Sequence, residues 1–219
     1  MKSNRFIHIV LIVLTTMGLA ACEKDIAVPG FSSASENYMQ MKVGTTWLYK
    51  IDSSTVDLVS PEVHYSFFQK EVVGDIEESR KVVTYNINVY RTLDTNSNFA
   101  WHDTHVIKMY KDRVVHMGND FNLIILNDPV EIGQKWYNAS SKCNNAMSII
   151  DRKIGTYTQS ETAYDDVLDV IHYEYLRHDV SRSHRSLYAK DAGLIFEMRF
   201  DRLRNQKTTI TKSLLNYAY

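Results

Sequence analysis

Several stretches of the chain alternate between apolar and polar residues, and this alternation constrains the fold more than any other feature. Between residues 194 and 200 every second residue is apolar, and the charged residues Glu197 and Arg199 lie between them. Residues 83–89 repeat the pattern, with Val, Tyr, Ile and Val separated by Thr and Asn. A period of two places successive side chains on opposite faces of an extended chain. We therefore expect half-buried β-strands, with the apolar row inside and the charged row in solvent.

Further segments are rich in the β-branched and aromatic residues that strands favour. They cover residues 63–73, 106–110, 121–126, 147–157 and 208–219, and clusters of Gly, Asn, Asp or Pro separate them. About nine to eleven strands at this spacing predict an all-β fold. The architecture that we expect is a curved antiparallel meander sheet or a partly open barrel, with at most one or two short helices.

Two segments allow a choice of element. Residues 162–178 fit an amphipathic helix, but they also fit a turn at Asp165-Asp166 followed by a strand. Their β-branched and aromatic content favours the strand. A short helix at residues 36–41 is also compatible with the sequence.

The N-terminus has the order of a secretory signal peptide. Lys2 and Arg5 carry positive charge, and residues 6–14 are apolar except for one histidine. This run is too short to span a membrane, which takes roughly 20 apolar residues. The sequence Leu19-Ala20-Ala21-Cys22 resembles the bacterial lipobox, in which cleavage leaves the cysteine as a lipid-modified N-terminus. We expect residues 1–21 to be a lipoprotein signal peptide, with the membrane as a partner through lipidated Cys22.

The rest of the mature chain divides into a tether and one domain. Residues 22–37 hold a Pro-Gly pair and a serine-rich run, which is typical of a flexible tether. Residues 38–219 are then a single β domain. Cys143 is the other cysteine of the chain, so once Cys22 is acylated no internal disulfide can form and the core must hold the domain. Lys and Arg total 25 against 26 Asp and Glu, which offers no basic excess for a nucleic-acid partner.

A short motif occurs twice in the domain. Gly44 and Trp47 have the same spacing as Gly133 and Trp136, and an aliphatic residue precedes each glycine. We interpret each copy as a turn in which glycine supplies a positive φ, followed by a strand whose tryptophan enters the core. The motif predicts two halves that open in the same way.

Together with the lipobox, four segments resemble the layout of uncharacterised outer-membrane lipoproteins of the Bacteroidota. The segments are residues 44–49, 129–136, 166–170 and 188–195. The resemblance implies an all-β secreted domain with no assigned chemistry, anchored at the outer membrane. Cys22-Glu23-Lys24-Asp25 resembles the export signal of surface-exposed members, but a charged linker explains it equally well. The periplasmic and the external face therefore both stay open.

The search for chemistry finds no phosphate-binding loop, nucleophile elbow or zinc-protease motif. His102 and His105 would lie on opposite faces of a strand unless a bulge intervenes, so we expect no metal, no cofactor and no catalytic residue. Arg177, Arg182 and Arg185 form the one basic cluster. We place it at a hairpin tip, as a candidate contact for an anionic partner or as a solvated loop.

Three functions fit these observations. The favoured one is a membrane-anchored, noncatalytic binding or accessory module at the outer membrane or cell surface, with a glycan, lipid or protein partner. The second is a carrier of an apolar ligand or lipid in a half-open barrel. The third is a glycan-acting hydrolase whose carboxylates lie far apart in sequence.

Overall fold

The computed structural model describes residues 33–57, 60–118, 122–138, 146–177, 180–203 and 205–219. The predicted signal peptide, Cys22 and Cys143 lie outside these residues. A short 3-10 helix spans Ala34–Tyr38. The strands are β1 (Thr46–Asp57), β2 (Val63–Glu78), β3 (Val82–Thr92), β4 (Ala100–Tyr110), β5 (Arg113–Met117), β6 (Asn122–Asn127), β7 (Lys135–Asn138), β8 (Ala146–Gln159), β9 (Thr162–Arg177), β10 (Val180–Ala189), β11 (Gly193–Leu203) and β12 (Gln206–Ala218).

The twelve strands of the described chain form one antiparallel sheet, in the order β6-β5-β4-β3-β2-β1-β12-β11-β10-β9-β8-β7. Every strand pairs with its neighbours in sequence except at β6 and β7, and β1 also pairs with β12. The sheet curls until it is nearly closed into a barrel. The predicted all-β meander is confirmed. The strand count exceeds the expected one because β5 and β7, with 5 and 4 residues, are too short to show an alternating pattern.

The segment with two possible elements is a strand, as its composition favours. β9 pairs with β8 on one side and with β10 on the other. Asp166 adopts a φ of 53° within it, so the turn expected at Asp165-Asp166 is a local irregularity inside a continuous strand. The helix alternative is wrong because β-branched side chains stiffen an extended backbone and gain ladder partners on both edges.

The alternation sets burial in most strands, but in β11 only the start follows the prediction: Leu194 and Phe196 pack against the core, and the phase reverses from Glu197 onward. In β3 the apolar row from Val83 to Val89 is buried, as expected. In β11, however, Glu197 and Arg199 line the interior, whereas Met198 is 40% exposed. The reversal is possible because the interior supplies charged partners for these two side chains, which replaces the hydration that they lose.

The 3-10 helix covers one end of the barrel. Ser33 caps it by accepting a hydrogen bond from the Glu36 amide. Both the backbone N–H and the hydroxyl of Ser35 donate to Oδ1 of Asp128, at 3.0 and 2.7 Å. Tyr38 is buried against the core. The helix overlaps the last residues of the predicted tether, 34–37, and these residues are held against the domain.

The two Gly-x-x-Trp motifs have the same backbone geometry. Gly44 and Gly133 adopt φ values of 87° and 84°. The Gly44 amide donates to the Val73 carbonyl, and the Gly133 amide donates to the Ile150 carbonyl, both at 2.8 Å. The chain therefore consists of two six-strand meanders, β1–β6 and β7–β12, that open with the same turn.

The two tryptophans of these motifs connect the halves. Trp47 and Trp136 are 5% and 6% exposed. The indole N–H of Trp47 donates to the Ala192 carbonyl before β11, and that of Trp136 donates to the Ile124 carbonyl in β6, both at 2.9 Å. Each tryptophan thus satisfies its buried polar group on the other half.

The gap between β6 and β7 is bridged by side chains. Oδ1 of Asn138 in β7 accepts a hydrogen bond from the Ile124 amide at 2.7 Å, next to the Trp136 contact with the Ile124 carbonyl. The backbone groups of Ile124, which a neighbouring strand would otherwise pair, are satisfied in this way. We call this junction the seam.

Candidate functional site: the barrel cavity

A cavity of about 210 Å³ lies inside the barrel. This volume equals that of on the order of seven water molecules in the liquid. Its apolar wall includes Met39, Met41, Trp47, Ile87, Ile107 and Leu194. Met39 and Met41 follow the 3-10 helix, so the covered end of the barrel contributes to the apolar wall. Methionine and tryptophan give this wall a large, adaptable contact area.

Polar side chains make up the remaining wall, and one group of them is centred on Lys212 of β12. Its ammonium contacts Oε1 of Glu71 in β2 and lies 4.1 Å from the ring centroid of Tyr49 in β1. Gln69 donates a second hydrogen bond to Oε1 of Glu71 at 2.7 Å. Burial raises the pKa of Glu71, but Lys212 outweighs that effect, so the net pKa lies below its ordinary value. Glu71 is therefore a buried carboxylate that stays charged at neutral pH.

A second group surrounds Glu197 of β11. Its Oε1 lies 3.0 Å from Nε2 of His184 in β10 and 3.4 Å from a terminal nitrogen of Arg199. Burial raises the pKa of Glu197, whereas His184, Arg199 and Lys212 lower it, and the net pKa lies well below its ordinary value. The cavity thus holds two carboxylates, and their polar neighbours keep both of them ionised.

The third group is a chain of hydrogen bonds that ends at His172 of β9. Nδ2 of Asn138 donates to Oγ of Ser148 in β8 at 2.8 Å, and that oxygen lies 2.6 Å from Nδ1 of His172. The His172 ring lies 4.8 Å from the His184 ring, centroid to centroid. Burial lowers the pKa of His172 well below its ordinary value, and His184 lowers it further. His172 is therefore neutral at neutral pH.

Two more histidines line the cavity. His105 of β4 and His116 of β5 make an edge-to-face contact with a centroid separation of 4.9 Å. Burial lowers the pKa of His105, and burial together with His105 and Lys212 lowers the pKa of His116 to about 4. Within the described ranges, no three His, Cys, Asp or Glu residues converge as metal ligands. These histidines thus serve the cavity as neutral polar groups.

The residues singled out from the sequence take different places. Trp47 lines the cavity, whereas Gly44, Gly133 and Trp136 belong to the turns and the core around it. The interpretation of these four residues as turn and core positions agrees with their φ values and burial.

The basic cluster is not gathered at a hairpin tip. Arg177 is the last residue of β9, and Arg182 and Arg185 lie within β10. Arg182 lines the cavity and pairs with Asp201 at 2.8 Å. Arg185 instead pairs with the fully buried carboxylate of Asp169. Strand alternation separates these two arginines, because residues at odd spacing point to opposite faces. Contact with an anionic partner stays a prediction for the exposed part of the cluster.

Sequence reasoning missed the polar wall, namely Glu71, His172, Glu197 and Lys212. A signal did exist for Glu71, since it lies in phase with Phe67 and Val73 in a row that otherwise enters the core. A polar residue in phase with an apolar row indicates either a break in the strand or a polar interior. The partners of His172 lie on the adjacent strands β8 and β10, and the partner of Lys212 lies on β2, so the pattern of one strand cannot reveal them.

Neither a family model nor a curated protein sequence matches this chain. Two solved structures are similar to it. One is a Bacteroides fragilis protein described as exported, with a YMCC-like fold, at 9% identity and a TM-score of 0.48, covering 81% of this chain and 97% of that one. The other is a Parabacteroides distasonis protein described as a lipoprotein, at 9% identity and a TM-score of 0.39, covering 81% and 96%. In the described part of the chain no helix is long and apolar enough to cross a membrane.

Proposed function

We propose that the mature chain is a noncatalytic binding lipoprotein whose barrel takes up a small, largely apolar molecule. The observation that carries this proposal is the cavity of about 210 Å³, whose lining combines many apolar side chains with a smaller set of hydrogen-bonding groups. Ligand sites are typically concave and mostly apolar, with a few polar groups that orient the ligand. Of the functions that the sequence allows, the carrier of an apolar ligand accounts best for this interior.

The state of the two cavity carboxylates supports binding over glycan hydrolysis. A glycosidase needs one carboxylic acid with a raised pKa to protonate the leaving group. Glu71 and Glu197 both have lowered pKa values, because Lys212, His184 and Arg199 stabilise their charged forms. Neither residue would hold a proton for such a reaction at neutral pH.

The test of ligand uptake is to extract the purified protein with organic solvent and to identify the released molecules by mass spectrometry. Ala146 lines the cavity and is 8% exposed, so Ala146→Phe would fill the site. Ala100 lies on the exposed part of β4, and Ala100→Phe is the matched control. We expect a small apolar molecule to be extracted from the wild type and from the control, but not from Ala146→Phe. Identical extracts from all three proteins, or an extract without any such molecule, would contradict the proposal.

The anchor is proposed from the lipobox alone. Two or more acyl chains on Cys22 would hold the protein on a membrane, because each buried CH₂ contributes about 0.8 kcal/mol. Cys22→Ser should therefore move the protein from the membrane fraction to the soluble fraction. The checks are fractionation and the mass of the N-terminal peptide. Unchanged fractionation, with no acyl mass on the wild-type peptide, would show that the anchor is absent.

A further inference from the structure

We propose that the molecule in the cavity is uncharged and places a carbonyl or hydroxyl oxygen on the Nε2–H of His172. This inference rests on the proposed function and specifies the class of ligand. Three observations carry it: the hydrogen-bond chain that leads to His172, the buried N–H groups of the wall that have no partner, and the charge balance of the wall.

The hydrogen-bond chain favours the tautomer of His172 that carries its proton on Nε2. The Ile124 amide can only donate, so the atom of Asn138 that receives it must be Oδ1, and Nδ2 must point to Ser148. Since Oγ of Ser148 accepts from Nδ2, its own hydrogen is free to bond Nδ1 of His172 at 2.6 Å. A neutral imidazole that accepts at Nδ1 carries its hydrogen on Nε2. Nε2 lies on the other side of the ring, away from Ser148.

The resulting donor has no acceptor among the described residues. Nε2 of His172 is buried without a hydrogen-bond partner, and the side chain is only 5% exposed. The Nε–H of Arg199, also in the cavity wall, is buried and unpartnered in the same way. Buried donors without acceptors cost free energy, so an oxygen atom brought by a ligand would be bound favourably.

The charge balance of the wall favours an uncharged ligand. The described cations of the wall are Lys212, Arg199 and Arg182, and their carboxylate partners are Glu71, Glu197 and Asp201 respectively. His172, His105 and His116 do not add charge at neutral pH, because burial lowers their pKa values. Each described lysine and arginine of the wall thus already faces a carboxylate, so a bound carboxylate or phosphate would add a negative charge without a matching cation. An ion buried without such compensation is strongly disfavoured.

The first experiment compares three probes of equal chain length, 2-octanone, octane and octanoate, each titrated into the full-length protein. Binding is measured by the NMR shifts of the histidine imidazole signals. One hydrogen bond should make 2-octanone bind about five- to tenfold more tightly than octane. Octanoate should bind more weakly than 2-octanone.

The variants separate the donor from the shape of the cavity. His172→Phe keeps a planar ring but removes the donor, so it should reduce the affinity for 2-octanone to that for octane. Ser148→Ala leaves the ring in place but removes the hydroxyl that favours the Nε2-protonated tautomer. It should therefore weaken 2-octanone binding to a smaller extent. The exposed His64 offers a matched control, His64→Phe, which should change neither affinity.

A direct measurement is independent of every variant. The ¹⁵N shifts of His172 in the wild type should show a protonated Nε2 and an unprotonated Nδ1 at neutral pH. The opposite tautomer would overturn the inference, and so would octane or octanoate binding as tightly as 2-octanone, although the proposed function would then stand. Failure of all three probes to bind would overturn the inference and the proposed function together.

Discussion

Gly44 and Gly133 show at the scale of single residues how much of this molecule depends on backbone conformation. A Cβ added at either position would meet no atom within 4 Å, yet both residues have a positive φ. Gly44→Ala or Gly133→Ala should therefore lower the free energy of unfolding by about 1–2 kcal/mol, because L-residues are strained there.

Chemical denaturation measures this cost, and the chain provides the control. Gly155 in β8 also has open space where a Cβ would lie, but its φ is not positive. Gly155→Ala should thus change the stability by no more than about 0.5 kcal/mol. Equal losses in the three variants would show that the left-handed conformation is not what these two glycines provide.

Trp47 packs in the core and also lines the cavity. Trp47→Ala removes a buried ring and its hydrogen bond to the Ala192 carbonyl, and we expect a loss of about 3–5 kcal/mol in the free energy of unfolding. Trp101 is 65% exposed, so Trp101→Ala should be close to neutral. Denaturant midpoints give both values, and a small effect at Trp47 would contradict its place in the core.

At the scale of elements, the sequence predicts strands better than it predicts which face of a strand is inside. β3 has the expected phase because its inward row is apolar throughout. β11 reverses its phase from Glu197 onward because Glu197 finds His184 and Arg199 as partners. His184 lies on the neighbouring strand β10, so the pattern of β11 alone cannot reveal it. The same holds for Arg182, whose partner lies on the next strand.

The 3-10 helix depends on one distant carboxylate. Asp128 accepts hydrogen bonds from the amide and the hydroxyl of Ser35. Asp128→Ala should lower the stability by about 1–3 kcal/mol, since hydrogen bonds to a charged group are lost and donors are left unpaired. Hydrogen exchange should show faster exchange in residues 34–38. Asp112 is the control, because its carboxylate is exposed and pairs with the neighbouring Arg113. If Asp112→Ala had the same effect, the attachment of the helix would not depend on Asp128.

At the scale of the whole molecule, the organisation into two halves could be predicted from the repeated Gly-x-x-Trp motif. The turn geometry follows from glycine, and the burial follows from tryptophan. The joining of the two halves into one sheet could not be predicted, because it depends on the pairing of β1 with β12, about 160 residues apart in the chain. The cavity forms when that sheet closes at the seam, and so its polar wall was also missed.

The buried histidines and carboxylates predict a loss of stability in acid. Burial lowers the pKa of His116 to about 4, below the value of 6.5 in the unfolded chain, so the unfolded state binds more protons between these values. Stability should fall as the pH drops through this window, by up to about 1.4 kcal/mol per pH unit for each such histidine. Below pH 4.5 the lowered pKa values of Glu71 and Glu197 add a further loss.

Denaturation at pH 7.5, 5.5 and 4 tests this dependence. His116→Gln should reduce the loss of stability between pH 6.5 and about 4. His64→Gln, at an exposed position, should leave the pH dependence of stability unchanged. Stability that is constant from pH 7.5 to 4 would mean that these histidines are not buried in the neutral form.

The side-chain amide of Asn138 takes part both in the seam and in the hydrogen-bond chain to His172. Asn138 accepts a hydrogen bond from the Ile124 amide across the seam. Through Ser148 it also favours the His172 tautomer with the proton on Nε2. Any free energy that a bound molecule gains from this arrangement also resists the separation of β6 from β7, and by thermodynamic reciprocity a parted seam weakens the hold on that molecule. We therefore expect ligand binding and the separation of β6 from β7 to oppose each other.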